Sequence, residues 1–208
     1  MRKIVAFDFD GTLTTRDTLP AFILYVKGWP RFLWGFLRFA PLLVLMKLRL
    51  YPNYKAKQKV FAYFFEGMQL TAFDAICQNF AANSRHLLRP KGVETLEQAQ
   101  AERTEQREPS KRARRSQDAE VLIVSASIDN WVQPFFPTVK VLGTQVEVSD
   151  GRLTGRFLTK NCYGQEKVNR ILACYPERET YHLTAYGDSR GDKEMLAFAD
   201  EAHFKPFR

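Results

Sequence analysis

Cysteine is scarce in this sequence, and the cysteines present are not spaced for a metal site or a disulfide framework. Cys77, Cys162 and Cys174 are the three cysteines among 208 residues, with no CxxC pair and no histidine at ligand spacing. We therefore expect reduced thiols in a cytoplasmic protein. The N-terminal apolar run before the first carboxylate is too short for the core of a signal peptide, so we expect no secretion.

Acidic residues are absent between Asp17 and Glu66. The formal net charge of the chain is +8, and this acid-free stretch carries it, because the remainder is close to neutral. Such clustering favours an anionic partner, either a membrane surface or a nucleic acid. The basic residues of the stretch are Lys27, Arg31, Arg38, Lys47, Arg49, Lys55, Lys57 and Lys59.

The sequence also lacks an apolar run long enough to cross a bilayer. The apolar and aromatic stretch 32–46 is interrupted by Arg38 and Pro41 and falls short of the roughly 20 residues that a spanning helix needs. Lys27 and Arg31 precede it at helical spacing, close to two tryptophans. Two interpretations stay open: a surface that lies on anionic lipid, or an ordinary amphipathic helix with a solvated basic face.

Large apolar residues are missing from residues 97–120, which carry many charges of both signs. Such a segment cannot bury enough apolar area to order itself, so we expect the end of a helix followed by a mobile polar loop. The basic run 111–115 lies within it. A basic run in a polar loop is most often solvated charge, although it also suits lipid or nucleic-acid binding.

Apolar runs at 3–8, 120–127 and 181–189 predict three buried strands, each ending in small or acidic residues. Residues 167–175, between the second and third runs, have helical periodicity. Strands that alternate with helices predict an α/β domain with a mostly parallel sheet. The alternating segment 139–158 predicts a small antiparallel flap around its Asp-Gly turn.

The long stretch from about 14 to 95 has helical character and no comparable strand. We expect its prolines to divide it into segments of helix length, since proline is tolerated in a first turn but breaks an interior. The sequence therefore predicts a helical cap, residues 16–90, inserted into a core formed by 1–15 and 91–208. The prolines are Pro20, Pro30, Pro41, Pro52 and Pro90.

Two aspartates follow the first predicted strand, in the run FDFDGT. Asp8 and Asp10 lie two residues apart, so their side chains point to the same side of an extended chain. Gly11 permits a tight turn at the carboxyl edge of the sheet, where ligands bind in open α/β folds. One carboxylate could then act as nucleophile and the other as proton donor and acceptor. The alternative is a structural Asp-Gly turn that closes a strand.

A carboxylate that attacks a phosphate needs positive charge nearby, because the two anions repel each other. Asp188 and Asp192, in GDSRGD after the third strand, can meet Asp8 at the same sheet edge and hold Mg²⁺, which prefers oxygen ligands. Lys167 lies at the start of a predicted helix and can place an ammonium near the phosphate.

Serine ends the second predicted strand. The Ser125 hydroxyl and the N–H groups after it can bind phosphoryl oxygens, and Ser127 is a weaker candidate of the same kind. Serine after a strand is also common turn chemistry. The order of the motifs along the chain therefore decides between the two interpretations.

That order, DFDGT, a strand ending in serine, a lysine and then GDxxxD, resembles the haloacid dehalogenase superfamily over nearly the whole chain. The insertion after the first motif, with GRLTGRF and CYGQEKVNRI, resembles subfamily IB, which holds phosphoserine phosphatase and phosphatidylglycerophosphate phosphatase-like proteins. The resemblance implies a Rossmann-like core, an inserted helical cap and a Mg²⁺-dependent phosphatase. The polar segment 97–120 departs from the pattern, since a short connection is expected there.

The resemblance also implies a role for each motif residue. Asp8 forms an aspartyl-phosphate, and Asp10 acts as general acid and base. The Mg²⁺ ligands are Asp8, the backbone carbonyl of Asp10, and Asp188, with Asp192 in support.

The phosphate and the rest of the substrate have separate expected sites. Ser125 and Lys167 correspond to the phosphate-binding residues of the family. Asp17 lies where phosphoserine phosphatases carry an acidic residue for the substrate amine, which makes it a candidate for substrate selection. We expect a phosphorylated small molecule or lipid head group as substrate. A further hypothesis is peripheral contact with the inner surface of an anionic membrane. Nucleic acid is a less favoured partner than either.

Two other functions stay open from the sequence. A basic binding module for membranes or nucleic acids would use the acid-free stretch and residues 111–115. A phosphotransferase would use the same intermediate on Asp8 and pass the phosphoryl group to a second substrate instead of water.

Overall fold

A parallel sheet organises the fold. The structure is a computed structural model that describes residues 1–105 and 119–208. Within these ranges five strands form the sheet in the order β3-β2-β1-β6-β7, and β4 and β5 form a separate hairpin. The strands are β1 Arg2–Phe7, β2 Ala119–Ile128, β3 Lys140–Thr144, β4 Val146–Ser149, β5 Arg152–Phe157, β6 Tyr181–Gly187 and β7 Glu201–Phe204.

The central strands form where the sequence has continuous apolar runs. β1 pairs in parallel with β2 on one side, where Val5 lies opposite Val121, and with β6 on the other. Residues 4–7 are all buried, as expected for a strand covered on both faces. The predicted α/β class with a mostly parallel sheet is confirmed. The edge strands β3 and β7 were not predicted, because both are short and only partly apolar.

Helices α1 to α4 separate β1 from β2, so a helical insertion follows the first strand as predicted. Helix α5 follows β2, while α6 and α7 flank β6 along the chain. The helices are α1 Thr18–Lys47, α2 Asn53–Phe65, α3 Leu70–Asn83, α4 Pro90–Glu105, α5 Asp129–Val132, α6 Gln165–Cys174 and α7 Lys193–Phe198.

Helix α1 is interrupted by a glycine and not by its later proline. The backbone leaves helical geometry at Gly28, with φ 70° and ψ 169°. Pro30 follows in the first turn after the break, where a missing N–H is tolerated. Pro41 lies inside the helix on an exposed side, so the prediction that it divides helical segments is wrong. Within residues 1–105 and 119–208, no helix is both long and apolar enough to cross a membrane.

Aromatic rings join the cap helices to the sheet domain. Phe22 of α1 stacks on Trp131 of α5 with ring centres 4.8 Å apart, and Phe80 of α3 meets Phe135 edge-on at 5.8 Å. Such pairs contribute about 0.5–1.5 kcal/mol each beyond the burial of their area. These contacts fix the first turns of α1 above the carboxyl edge of the sheet.

The predicted polar loop, 97–120, has only its ends among the described residues. Residues 97–105 belong to helix α4, and 119–120 begin strand β2. The intervening part of the predicted loop, including the basic run 111–115, lies outside the described residues.

The predicted antiparallel flap is present but shorter than 139–158. Its turn residues Asp150 and Gly151 have φ of 50° and 73°, as a tight two-residue hairpin requires. Residues 140–144 do not belong to the flap, because they pair in parallel with β2 as strand β3. Their partly buried apolar side chains place them in the main sheet.

The flap packs against the cap. The N–H of Gly67 donates to the carbonyl of Leu153, and the N–H of Leu153 donates to the carbonyl of Met68, at 2.8 and 2.9 Å. Gly155 in β5 has φ 78°, and a Cβ added there would meet the Cβ of Ala62 in α2 at 2.7 Å. The flap therefore approaches α2 too closely for any residue larger than glycine at this position.

Two glycine substitutions separate backbone strain from packing in this contact. Gly151 has a positive φ similar to that of Gly155, but a Cβ added at Gly151 would meet open space. Gly151→Ala should therefore lower the free energy of unfolding by about 1–2 kcal/mol, through backbone strain alone. Gly155→Ala should cost about 1–3 kcal/mol more, because it also overpacks the flap against Ala62. Urea unfolding measures both changes in free energy, provided that the m-value is the same for each variant. Equal costs would show that the flap does not pack on α2.

Candidate active site

The carboxyl ends of β1, β2 and β6 meet at one buried cluster of charged and polar groups. Asp8 follows β1, Ser125 lies near the end of β2, and Asp188 follows β6. All three are buried. The N–H of Asp8 donates to the carbonyl of Tyr186 at 2.9 Å, which extends the β1–β6 ladder and fixes the position where the Asp8 side chain leaves the sheet.

The turn after Asp8 is shaped by Gly11, as predicted. Its φ is 81°, and a Cβ added there would lie 2.5 Å from Oδ2 of Asp188. Glycine therefore permits both the turn and the close approach of the β1 and β6 ends.

Lys167 ties three segments of the site together. Its Nζ donates to Oδ1 of Asp8 at 2.6 Å, to Oδ1 of Asp192 at 2.6 Å and to the carbonyl of Val124 in β2 at 2.7 Å. These three bonds use all three protons of the ammonium. Lys167 is 1% exposed, so it is not a solvated surface charge, although a lysine at the start of a helix usually is.

Burial and charge shift the pKa values of Asp8 and Lys167 in this ion pair. Burial raises the pKa of Asp8 to about 7, and the ammonium of Lys167 counteracts part of that rise. Burial lowers the pKa of Lys167, but the charges of Asp8 and Asp192 outweigh it and hold that pKa above its usual value. A further cation beside Asp8 would favour its ionised, nucleophilic form.

Both carboxylate oxygens of Asp192 accept hydrogen bonds. Its Oδ1 accepts from Lys167, while its Oδ2 accepts from the N–H groups of Asp188 and Ser189 at 3.2 and 2.9 Å and from the Ser189 hydroxyl at 2.8 Å. Burial raises its pKa, but Lys167 and the Ser189 bonds outweigh this and keep it below the usual value. Asp192 therefore fixes the loop after β6 and orients Lys167.

The Asp10 carboxylate points toward the first turn of α1. Its Oδ1 accepts from the N–H and hydroxyl of Thr18 at 2.8 and 2.6 Å, and its Oδ2 accepts from the Ser127 hydroxyl. The indole Nε1 of Trp131 donates to the Thr18 hydroxyl at 3.2 Å. Burial raises the pKa of Asp10, and the nearby charge of Asp17 adds to the rise. A raised pKa suits a group that exchanges protons near neutral pH.

Three residues predicted for the site also form hydrogen bonds within the fold. They are Ser125, Ser127 and Asp17. The Ser125 hydroxyl accepts from the N–H of Ser127 at 3.0 Å, which shapes the end of β2. Ser127, the weaker candidate in the sequence, contacts Asp10 directly. Asp17 is exposed and caps α1 by accepting from the N–H of Leu19 at 2.9 Å, which alone would explain its presence.

Sequence reasoning missed three residues that contact this site. Thr12 donates its hydroxyl to Oδ2 of Asp8 at 3.0 Å, and Thr18 holds Asp10. Lys57 reaches from α2 to the carbonyl of Ala126 at 2.7 Å, and its charge acts on Asp10. Thr12 lies within the first motif and could have been found there. Thr18 and Lys57 carry no local signal, because their positions depend on how the cap folds back.

The carboxylates fit a magnesium ion. Oxygens of Asp8, Asp188 and Asp192 lie within 4.8 Å of one another. Oδ1 of Asp188 is buried and has no hydrogen-bond partner among the described residues, while its Oδ2 contacts the Arg208 guanidinium. Each Asp8 oxygen accepts one hydrogen bond, from Lys167 or Thr12, whereas Oδ2 of Asp192 accepts three and its Oδ1 accepts from Lys167. Asp8 and Asp188 therefore keep more free lone pairs for a metal than Asp192 does. The Asp10 side chain is also engaged, which leaves its backbone carbonyl as the ligand that the resemblance implies.

Comparison with known proteins assigns the chain to a family. The model of the haloacid dehalogenase-like hydrolases matches residues 5–106 and 108–197. The chain belongs to this family. The prediction of the family and that of an enzyme of the hydrolase class are both confirmed.

One curated protein is similar to this haloacid dehalogenase-like hydrolase in sequence, and several solved structures are similar to it in fold. Protein CicA of Caulobacter vibrioides (strain NA1000 / CB15N) is 34% identical over 212 residues, covering 99% of this chain and 86% of CicA. A crystal structure of a protein of unknown function from Bordetella pertussis Tohama I has a TM-score of 0.77 at 18% identity, covering 95% of this chain and 86% of that one. A phosphoserine phosphatase solved as a phospho-aspartyl intermediate analogue has a TM-score of 0.55 at 17% identity, covering 95% and 83%.

The expectation that Asp188 helps to hold Mg²⁺ can be tested through protein stability. A hundredfold excess of Mg²⁺ over its Kd should stabilise the folded chain by about 3 kcal/mol relative to chelator, which for a chain of this size corresponds to a rise in Tm of about 5–10 °C. Asp188→Asn should remove most of this shift. Asp150→Asn is the matched control, since it changes an exposed flap carboxylate. A full shift in Asp188→Asn would contradict the assignment.

Proposed function

We propose that this hydrolase releases phosphate from phosphomonoesters in a Mg²⁺-dependent reaction with Asp8 as nucleophile. The observation that best supports this proposal is the buried contact of Asp8 with Lys167. It lies beside an Asp188 oxygen that lacks a hydrogen-bond partner among the described residues. A buried carboxylate held by one ammonium, next to a second carboxylate that can take a cation, suits attack on an anionic phosphoryl group.

The reaction divides into two steps that share Asp10. A carboxylate oxygen of Asp8 attacks phosphorus, the bond from phosphorus to the leaving oxygen breaks, and Asp10 gives that oxygen a proton. Water then attacks the phosphorus of the aspartyl-phosphate, Asp10 takes its proton, and the Asp8 carboxylate is released with inorganic phosphate. A structural neighbour solved as a phospho-aspartyl intermediate analogue supports this assignment.

The fixed cations of the site offset the charge of the incoming phosphate. Lys167 is buried and protonated, so it supplies a positive charge beside Asp8 without reorganisation. Mg²⁺, held by Asp8, Asp188 and the Asp10 carbonyl, would add the positive charge that draws phosphoryl oxygens toward Asp8. Ser125 and the backbone after it would bind the remaining phosphoryl oxygens.

The substrate group beyond the phosphate would meet the cap. Lys57 lies over the carbonyl of Ala126, and Asp17 lies near Asp10, so one cation and one anion of the cap border the site. This supports a phosphorylated small molecule or a phosphorylated lipid head group. The free thiols of the described chain suit a cytoplasmic enzyme.

Asp8→Asn is the first test of the proposal. The amide keeps the shape of the carboxylate but cannot attack phosphorus, so Mg²⁺-dependent phosphate release from an aryl phosphate should fall below detection. Asp10→Asn should lower kcat by about 10²- to 10⁴-fold, because proton transfer is lost. An Asp8→Asn protein that keeps its activity would exclude the mechanism, provided that the purified protein is free of wild-type enzyme.

Thr18→Val tests whether the cap helix positions Asp10. The substitution keeps the volume of the side chain and removes the hydroxyl that donates to Oδ1, so kcat should fall by about 10- to 100-fold with little change in KM. Thr95→Val is the control, because the Thr95 hydroxyl is exposed and donates to the carbonyl of Lys91. Equal kcat values for both variants would show that Thr18 does not position Asp10.

A further inference from the structure

The outward side of α1 beyond Gly28 carries a stripe of exposed apolar side chains. They recur at spacings of four, four, seven and four residues, which places them on one side of the helix. The stripe, called here the α1 outer face, consists of Trp29, Leu33, Leu37, Val44 and Leu48, which are 68, 64, 63, 55 and 62% exposed.

A second side of the same helix is apolar too, but it is partly buried. Phe32, Phe36, Phe39 and Leu43 pack against the hydrophobic core of the cap and sheet. In the described part of the chain α1 is therefore apolar on two sides, and the cap covers one of them. A contiguous exposed apolar surface of this kind marks an interaction site.

Positive charge borders the α1 outer face. A cavity of about 380 Å³ opens beside it, lined by Lys27, Arg31, Trp34 and Tyr63 among others. Among the described residues, no carboxylate forms an ion pair with Lys27 or Arg31. Burial lowers the pKa of Lys27, and the neighbouring charge of Arg31 adds to this effect. The Lys27 ammonium lies 5.2 Å from the centre of the Phe65 ring.

The chemistry of this surface distinguishes three classes of partner, because it combines leucines and a tryptophan with cations that no carboxylate of the described residues neutralises. A second copy of the chain on this face would bring two acid-free basic helices together, each with Arg31, Arg38 and Lys47, and like charges across an interface cost several kcal/mol. A nucleic acid would neutralise the cations but leave the exposed leucines without an apolar partner. An anionic phospholipid bilayer offers phosphates to the cations and hydrocarbon to the leucines.

We propose that the α1 outer face docks on the surface of an anionic phospholipid bilayer, with a lipid phosphate bound between Lys27 and Arg31. Tryptophans at its edge would lie at head-group depth, where their amphipathic rings are favoured. Helix α1 begins at Thr18, which holds Asp10, and runs without a break to Lys27, nine residues later and about 14 Å along a helix. Docking would therefore bring the catalytic site close to the lipid head groups.

Flotation of the full chain with unilamellar vesicles tests the apolar part of the proposal. Vesicles of phosphatidylcholine alone are compared with an equimolar mixture of phosphatidylcholine and phosphatidylglycerol. Leu33→Gln should weaken binding to the mixed vesicles by at least about tenfold, since burial of one leucine contributes that much. Leu158→Gln is the matched control, because Leu158 is 65% exposed but lies beyond the flap, and its binding should be unchanged.

Arg31→Gln tests the charged part. It should reduce binding to the mixed vesicles several-fold and should not affect binding to phosphatidylcholine alone, because only the first depends on charge. Binding of the wild-type chain to the mixed vesicles should also weaken as salt rises, since screening shortens electrostatic reach from about 10 Å at 0.1 M to about 3 Å at 1 M.

Several outcomes would overturn the proposal. These are no binding to mixed vesicles, equal losses for Leu33→Gln and Leu158→Gln, or a dimer in sedimentation analysis that Leu33→Gln dissociates. Salt-dependent binding of an oligonucleotide that competes with vesicles would assign the face to nucleic acid instead. Hydrolysis of a soluble aryl phosphate is measured on every variant, so a failure of docking is distinguishable from a failure of the proposed catalysis.

Discussion

The buried ammonium of Lys167 is the contact on which the site depends. It lies among Asp8, which follows β1, Asp192, in the loop after β6, and the Val124 carbonyl inside β2. Without it, two buried carboxylates would face each other with no charge between them, and breaking such a buried pair costs about 3–5 kcal/mol. The same ammonium that joins three strands at their carboxyl edge also reduces the repulsion that an incoming phosphate would meet. Structural and catalytic requirements coincide in one side chain.

Helix α1 connects this centre to the rest of the cap. Its first residue, Thr18, bonds to Asp10, and Phe22 one turn later stacks on Trp131, so the start of the helix is fixed by both polar and aromatic contacts. Beyond Gly28 the same helix carries the α1 outer face. A single element thus positions the proposed proton donor at one end and presents an apolar, basic surface at the other. This arrangement links the orientation of the catalytic site to whatever the cap contacts.

The parts of this account that the sequence predicted are those with strong local signals. The run FDFDGT follows a continuous apolar strand, and Lys167, Asp188 and Asp192 lie in motifs whose order identifies the family. The contacts of Asp10 could not be predicted, because Thr18 lies 8 residues and Ser127 117 residues from it in the sequence, and only folding brings the three together. The predicted helix break at Pro41 is wrong, because the exposed side of α1 tolerates a proline there. The prediction that residues 140–144 belong to the flap is also wrong, because a short edge strand and a short hairpin strand have similar sequence patterns.

The most direct test of the central claim is the location of the phosphoryl group during turnover. The enzyme is mixed with substrate and Mg²⁺, quenched in acid, reduced with borohydride, which converts an aspartyl-phosphate to homoserine, and mapped by peptide mass spectrometry. Homoserine is expected at position 8, and none is expected when substrate is omitted. A reduced aspartate at another position, or a phosphorylated Ser125 with an unmodified Asp8, would contradict it.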